Sequence, residues 1–376
     1  MKIALIRGAN LNEYEMQNYN PLVGKGFDLV GFTSKEPRYG LERIDFPVKK
    51  LHMLGDLSDI SKYRGFLRRF FGDDQVMVGL EKALEGFDIA HSAETFNYYT
   101  YQVIKAKLAG KVKKVVVTVW ENRPLVGEGN PKQGQFKKIV IQNTDLFHAV
   151  TERAKESLII DGAPAEKIRV LPYGVDLDRF RVREKDTEDI VVLSVGRLVW
   201  EKGFDHILFA AKKLLQDPEV PAERLKFLII GDGPRREILE RQIEKLNLEK
   251  NVTLIPHIPY DEMPKIHASA DIFLLPSLPI PSWQEQFGIV FVEAMACGKP
   301  VVAGMSGSIP DVIGEAGILV QPGDMLSIAK VLKELILDKN LRDEYGQAAL
   351  KRAQALFDAD RVSDKLGELY EVVENV

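Results

Sequence analysis

From residue 190 onward, short apolar runs alternate with stretches of helical period, and this alternation constrains the fold more than any other feature. Ile190–Val195, Lys226–Ile230, Val252–Ile255, Ile272–Leu275, Pro300–Ala303 and Ile318–Val320 are β-branched or Leu-rich without clean alternation. Strands buried on both faces of a parallel sheet have this character. Between them, Phe204, Ile207, Leu208, Ala211 and Leu215 keep one helix face apolar. Pro234 stands where a first helical residue belongs, ahead of Ile238, Leu239, Ile243 and Leu246. Strands alternating with helices of this length make βαβ units, right-handed crossovers over a parallel sheet. The fold class is α/β.

The amino half is less legible. Lys2–Ile6, Asp88–Ala90 and Lys114–Val119 read as buried strands, whereas Asn10–Pro47, rich in Asn, Tyr and Gly, reads as irregular structure. A length of 376 residues suggests two domains. The charge-dense stretch Asp178–Asp189 marks their boundary, giving domains 1–180 and 186–357 and a terminal segment 358–376. No internal repeat or low-complexity tract is present.

Composition removes several classes. With 45% apolar and 28% charged residues the chain reads as soluble and globular, and no apolar run reaches the ~20 residues of a membrane span. Lone Cys297 excludes an internal disulfide framework and a cysteine-based zinc cluster. A net charge of −4 gives no support to nucleic acid as a partner. The first residues, Met1–Arg7, do not read as a signal peptide, so a cytoplasmic protein is expected. The charge-rich, Cys- and His-poor composition is of a kind thermophilic proteins show.

Several constellations could carry chemistry. Glu285 and Glu293 flank Phe287, Gly288 and Ile289 before a Gly298-Lys299-Pro300 turn. A helix starting near Phe287 puts both carboxylates beside its free N–H groups, an arrangement suited to a ligand bearing hydroxyls and oxyanions. The spacing alone also fits two surface glutamates on an amphipathic helix. Ser194–Gly203 delivers Arg197 and Lys202 from a strand end to a loop, where an arginine fork and a lysine suit a pyrophosphate, or simply pair with nearby acids. Gly231-Asp232-Gly233-Pro234 allows close backbone approach at a turn but lacks the third glycine of a dinucleotide fingerprint. Ser306–Pro310 is a similar loop. Asp176-Leu177-Asp178 and Asp358-Ala359-Asp360 could hold a divalent cation, but helix capping and the domain junction account for them better. His91 and Glu94, and then Trp120 and Glu121, stand at strand exits, where polar side chains line a crevice. Lys62–Phe71 mixes four cations with aromatics and reads either as an ordinary amphipathic helix or as a membrane-surface contact.

Taken in order, these residues resemble a glycosyltransferase of family four, the retaining GT-B class. Trp283–Gly288 through Glu293–Val302 is similar to that family's Glu-x7-Glu segment at nearly every position. Val195–Leu198 with Glu201–Gly203, Gly231–Pro234, Ala270–Ser277 and Gly174–Asp176 complete the order. The resemblance covers the chain from about Ala149 onward and is faint before it.

The resemblance implies two Rossmann-like domains facing across a cleft, with the C-terminal helix crossing back to the first. It implies a hexose moved from a UDP- or GDP-sugar to an acceptor hydroxyl with retention of configuration. The nucleotide sugar is then a substrate, with no resident cofactor or tightly bound metal. By position, Arg197 and Lys202 would hold the diphosphate, Glu293 the ribose and Glu285 the transferred sugar. Backbone at Gly231, Phe287, Gly288 and Ile289 would approach the donor, and Ile258 would lie in the base-contacting loop. His91 matches the earlier of the family's usual histidines and joins Glu285, Arg197 and Lys202 as a catalytic candidate. The acceptor would be a saccharide, a polyol or a lipid-linked sugar, and Lys62–Phe71 would offer peripheral contact with the inner membrane face. The chain departs from the family pattern at Gly8–Asn12, at Trp120 and at Ile255–Pro259. An epimerase, a phosphorylase and a non-catalytic binding subunit are the competing readings.

Overall fold

The computed structural model describes residues 1–57, 61–182 and 187–375. The chain forms two compact units, Met1–Gly174 with Ala359–Val376, and Val175–Asp358.

In the first unit, β1 (Lys2–Gly8), β2 (Asp28–Ser34), β3 (Val48–Leu51), β4 (Phe87–Ala93), β5 (Val112–Val119), β6 (Leu146–Ala149) and β7 (Ile168–Val170) form one sheet. Its order is β3-β2-β1-β4-β5-β6-β7, with every pair parallel. Successive residues of β1 explain its unbroken apolar run: Ala4 and Ile6 enter the core on one side, and Ile3 and Leu5 the core on the other. The last helix, Ala359–Asn375, closes that second core. Val362, Leu366, Tyr370 and Val373 recur at helical spacing and bury beside Leu22 and Ile89. Full burial of such a side chain contributes about 1.5–3 kcal/mol.

In the second unit, β8 (Ile190–Val195), β9 (Leu225–Ile230), β10 (Val252–Ile255), β11 (Ile272–Leu275), β12 (Val301–Gly304) and β13 (Ile318–Val320) form the sheet β10-β9-β8-β11-β12-β13. It too is parallel throughout. The strand order of each sheet reverses once, between β1 and β4 and between β8 and β11. Ligands of open α/β sheets bind past the carboxyl ends of the strands at such a point.

Three expectations change. Asn10–Pro47 is not irregular throughout: it contains β2 and the short helices Glu13–Met16 and Asn20–Gly24. Gly31, Thr33 and Ser34 dilute the apolar signal of β2, yet the strand is buried and the Thr33 hydroxyl donates to the Gly8 carbonyl at 2.9 Å. The helix after β9 begins at Arg236 rather than Pro234, because Arg235 N–H donates back to the Leu198 carbonyl at 3.0 Å. The first unit ends at Gly174, so the described part of the Asp178–Asp189 stretch lies inside the second unit. Phe180, fully buried, packs on Tyr260 and His267 with ring centroids 5.7 and 5.9 Å away. Residues Arg183–Asp186 of that stretch lie outside the described residues.

Candidate functional site

At the switch point of the second unit, the loop after β8 carries Lys202 and the segment after β11 carries Glu285. Their side chains meet: Lys202 Nζ lies 2.7 Å from Glu285 Oε2. Ser277 Oγ donates to the same oxygen at 3.2 Å, and Lys202 Nζ stands 4.9 Å from the centroid of the Trp283 ring. Both partners are mostly buried, at 12% and 8% side-chain exposure. Desolvating such a pair is costly, so its presence at a switch point points to use more than to stability. The Ser306–Pro310 loop holds the backbone here, because Ser308 N–H donates to the Glu285 carbonyl at 2.8 Å.

The helix that follows is Ile289–Ala296, capped by Gly288 at φ +80°. A Cβ at Gly288 would stand 2.5 Å from the Phe291 ring, so only glycine makes this entry. Phe287 is buried, with its ring 6.0 Å from that of Phe357. Glu293 falls on the second turn and is buried. His267 Nε2, 3.1 Å away, donates to its Oε2. The other ring nitrogen of His267 has no hydrogen-bond partner among the described residues. Sequence reading missed His267, because a single His on the short helix Met263–Ser269 carries no pattern.

Two further loops close on this edge. Gly231, at φ +147°, brings the loop after β9 so near that a Cβ would lie 1.9 Å from the Gly196 carbonyl oxygen. Asp232 accepts the His257 N–H at 2.8 Å, tying down the loop that carries half-buried Ile258. Arg197 is exposed just past β8, and its side chain makes no hydrogen bond or ion pair among the described residues. The structure thus pairs Lys202 with Glu285, sets Glu293 against His267, and leaves the Arg197 guanidinium open. In the first Asp-x-Asp triplet, Asp176 is occupied as a turn acceptor, taking the Asp178 and Arg179 N–H groups at 3.0 and 3.2 Å.

In the first unit Arg7 is buried and bonds Glu15 at 2.7 Å. His91 is fully buried on β4. Its Nδ1 is 2.6 Å from the Tyr370 hydroxyl and its Nε2 2.6 Å from Thr118 Oγ1. Thr118 Oγ1 continues to His148 Nδ1 at 3.1 Å, and His148 Nε2 reaches the Leu171 carbonyl at 2.7 Å. A carbonyl only accepts, so the direction of the whole chain follows. His148 donates from Nε2, Thr118 donates to His148, His91 donates to Thr118, and Tyr370 donates to His91. Burial, with the charge of Arg7 adding to it, holds His91 well below the usual histidine range and His148 down at about 4. Both rings are neutral with every nitrogen engaged. The catalytic candidate His91 thus has both ring nitrogens engaged, by Tyr370 and by Thr118. Trp120 stacks at a tilt on Tyr173 with centroids 5.7 Å apart, and Glu121 pairs with Arg123 at 3.0 Å.

Lys62–Phe71 lies in the helix Ser61–Phe71, of which only Leu67 is buried. Phe66 and Phe70, 59% and 58% exposed, stack on each other with centroids 5.8 Å apart. Among the described residues no helix is long and apolar enough to cross a membrane.

Comparison with known proteins agrees with this architecture. The chain is 31% identical over 271 residues to the D-inositol 3-phosphate glycosyltransferase of Corynebacterium jeikeium, covering 65% of this chain and 62% of that protein. It is 35% identical over 214 residues to a GDP-mannose-dependent alpha-(1-6)-phosphatidylinositol monomannoside mannosyltransferase of Mycolicibacterium smegmatis, covering 52% of this chain and 54% of that protein. The matched regions thus span between half and two thirds of these relatives' own length. Among solved structures, HepE of Anabaena in complex with UDP superposes with a TM-score of 0.76 at 19% identity, over 99% of this chain and 100% of that one. Sucrose-phosphate synthase from Thermosynechococcus elongatus gives 0.76 at 21% identity, over 99% of each chain. The fold is GT-B. The model of glycosyl transferases group 1 matches residues 176–352, and that of Glycosyltransferase Family 4 matches residues 22–179. The chain thus carries, in order, a Glycosyltransferase Family 4 domain and a glycosyl transferases group 1 domain.

Proposed function

We propose that the chain moves a hexose from a nucleotide sugar to an acceptor hydroxyl with retention of anomeric configuration and without a metal. The observation that carries this reading is the Lys202–Glu285 pair at the switch point of the second unit. Arg197 and Lys202 bind the donor diphosphate, and Glu293, oriented by His267, takes the ribose hydroxyls. Gly231, Phe287, Gly288 and Ile289 bring backbone close to the donor, and Ile258 lies beside the base. As Lys202 turns to the phosphate, Glu285 regains lone pairs for the hydroxyls of the sugar. Departure of the diphosphate leaves negative charge on phosphate oxygens, and the two cations stabilise it electrostatically. The names of the relatives and the UDP bound to HepE support a nucleotide-sugar donor. They lend nothing to an epimerase, a phosphorylase or a non-catalytic subunit.

A thermal-shift panel of UDP, GDP, ADP and their sugars, with and without EDTA, tests the reading. Binding to the native state raises Tm by mass action. A rise that survives EDTA and selects one base is expected, and a flat response to every nucleotide sinks the proposal.

The stacked pair Phe66 and Phe70, flanked by Arg68 and Arg69, favours a second element of this reading: peripheral contact of a cytoplasmic enzyme with the anionic inner membrane face. Cations and exposed aromatics on one short helix suit that surface.

A further inference from the structure

The segment after β11 turns back on itself just before it reaches Glu285. Ile280 N–H donates to the Trp283 carbonyl at 2.8 Å and Trp283 N–H to the Ile280 carbonyl at 3.1 Å, closing a tight turn over the exposed Pro281 and Ser282. That turn presents the half-buried Trp283 indole to the amine of Lys202, whose Nζ lies 4.9 Å from the ring centroid. At this range the negative face of an aromatic ring attracts a cation, and indole does so more strongly than the rings of Tyr or Phe.

Ring and amine belong to loops that are stitched together on both sides of the contact. Leu278 N–H donates to the carbonyl of Glu201, the residue before Lys202, at 2.7 Å. Gly203, the residue after it, runs so close to the segment after β11 that a Cβ would stand 2.2 Å from the Pro276 carbonyl oxygen. The Lys202 backbone is therefore fixed against the segment that carries the indole. Its ammonium faces two electrostatic partners, Glu285 Oε2 at 2.7 Å and the Trp283 ring. Trp200, two residues before Lys202, lies instead against the Arg235 guanidinium, 5.0 Å from its ring centroid.

The two partners of Lys202 ask different things of it. Glu285 offers a hydrogen bond of fixed direction, and Ser277 Oγ already shares the same oxygen. A π face has no lone pair to satisfy and attracts the charge over a broad area, so it goes on holding the ammonium as the side chain swings. An ammonium that leaves Glu285 for a phosphate oxygen gives up a mostly buried counter-charge, which is costly. The indole offsets part of that loss. An aliphatic side chain in its place would leave the carboxylate as the dominant partner and keep Lys202 on it.

We propose that Trp283 is a positioning residue for Lys202: its indole face carries the ammonium as Lys202 passes from Glu285 to the donor diphosphate. This rests on the transferase reading and adds to it a residue whose effect reaches the diphosphate through Lys202 and not the transferred sugar.

The test places mono-, di- and tetrafluorotryptophan at position 283 of the full chain by site-specific incorporation, beside Trp283→Phe and Trp283→Leu. Fluorine draws charge off the ring face with little change of size, so the series separates electrostatics from packing. Calorimetry measures the binding of UDP, GDP, UDP-glucose and GDP-mannose. Affinity for the nucleoside diphosphate that wild type binds should fall stepwise with each added fluorine, reaching roughly three- to tenfold for the tetrafluoro ring. Its sugar ester should lose the same factor. Trp283→Leu should lose about tenfold and Trp283→Phe less. The fluorinated chains keep the shape of the ring, so they remain informative if Trp283→Leu unfolds. The same series at Trp200 should leave affinity unchanged. No trend with fluorination at position 283, an equal trend at position 200, or a loss confined to the sugar ester overturns the proposal. Absence of nucleotide binding by wild type would overturn the donor reading itself, so the two failures are told apart.

Discussion

Lys202 Nζ and Glu285 Oε2 meet at 2.7 Å although 83 residues separate them in the chain. One side chain comes from the loop after β8 and the other from the segment after β11, so the pair exists only because those strands are neighbours in the sheet. It holds together the two groups that a nucleotide sugar would have to separate. Under the proposed function, the pair is both a brace for the free chain and a first point of contact for the donor.

Lys202→Ala is expected to weaken UDP or GDP binding at least tenfold by calorimetry. It should also destabilise the fold by about 3 kcal/mol, because Glu285 is left buried with its counter-charge gone. Lys202→Met combined with Glu285→Gln should recover most of that stability without recovering nucleotide affinity. If the double variant is no more stable than Lys202→Ala, the pair is not coupled as described.

Acid should loosen the first unit. His91 and His148 are depressed in the folded state, His148 to about 4 from an ordinary 6.5. The unfolded chain therefore binds more protons below pH 6.5. Stability from these groups is complete above that value and falls as pH drops through it toward 4, by at most about 1.4 kcal/mol per pH unit for each ring. Urea titrations of wild type and His148→Gln at pH 7 and pH 5 should show the smaller drop in the variant.

Glu94 has the opposite sign. Its carboxyl is raised to about 8 from an ordinary 4.5, so the unfolded chain releases a proton that the folded chain retains. Its contribution is greatest below pH 4.5 and is lost as pH rises through the range to 8. Glu94→Gln should raise Tm, with a gain of ~2 kcal/mol or more at pH 8 that shrinks toward zero near pH 4.5. A Tm difference independent of pH would show that Glu94 ionises normally.

Tyr370→Phe removes the hydroxyl that donates to His91 Nδ1 and leaves a buried nitrogen unpaired, at a cost of about 1–3 kcal/mol. Leu366→Ala on the same helix should cost about 2–5 kcal/mol by opening the core it shares with Leu22 and Ile89. Neither change should alter UDP or GDP affinity, which calorimetry would check.

Phe66→Ser with Phe70→Ser should abolish flotation on vesicles containing anionic lipid while leaving Tm within about 1 °C, since surface substitutions are usually near neutral. Arg68→Ala with Arg69→Ala should weaken flotation most at low salt. Equal flotation of all variants would place the membrane contact elsewhere or remove it.

Local patterns carried much of this protein. The runs around Ile190–Val195 and Ile272–Leu275 are buried on both faces, which leaves them continuous, and Phe204–Leu215 shows its buried face at helical spacing. The Glu285–Glu293 segment is likewise local, because one short loop and two helical turns carry both carboxylates. Strand β2 escaped notice because its burial comes from neighbouring elements rather than from its own Gly31, Thr33 and Ser34. Long-range pairing escaped for the same reason. Nothing near His91 announces Tyr370, and nothing near Glu293 announces His267. Burial and hydrogen-bond satisfaction belong to residues brought together by the sheet order, and that order is set by crossovers far longer than any motif.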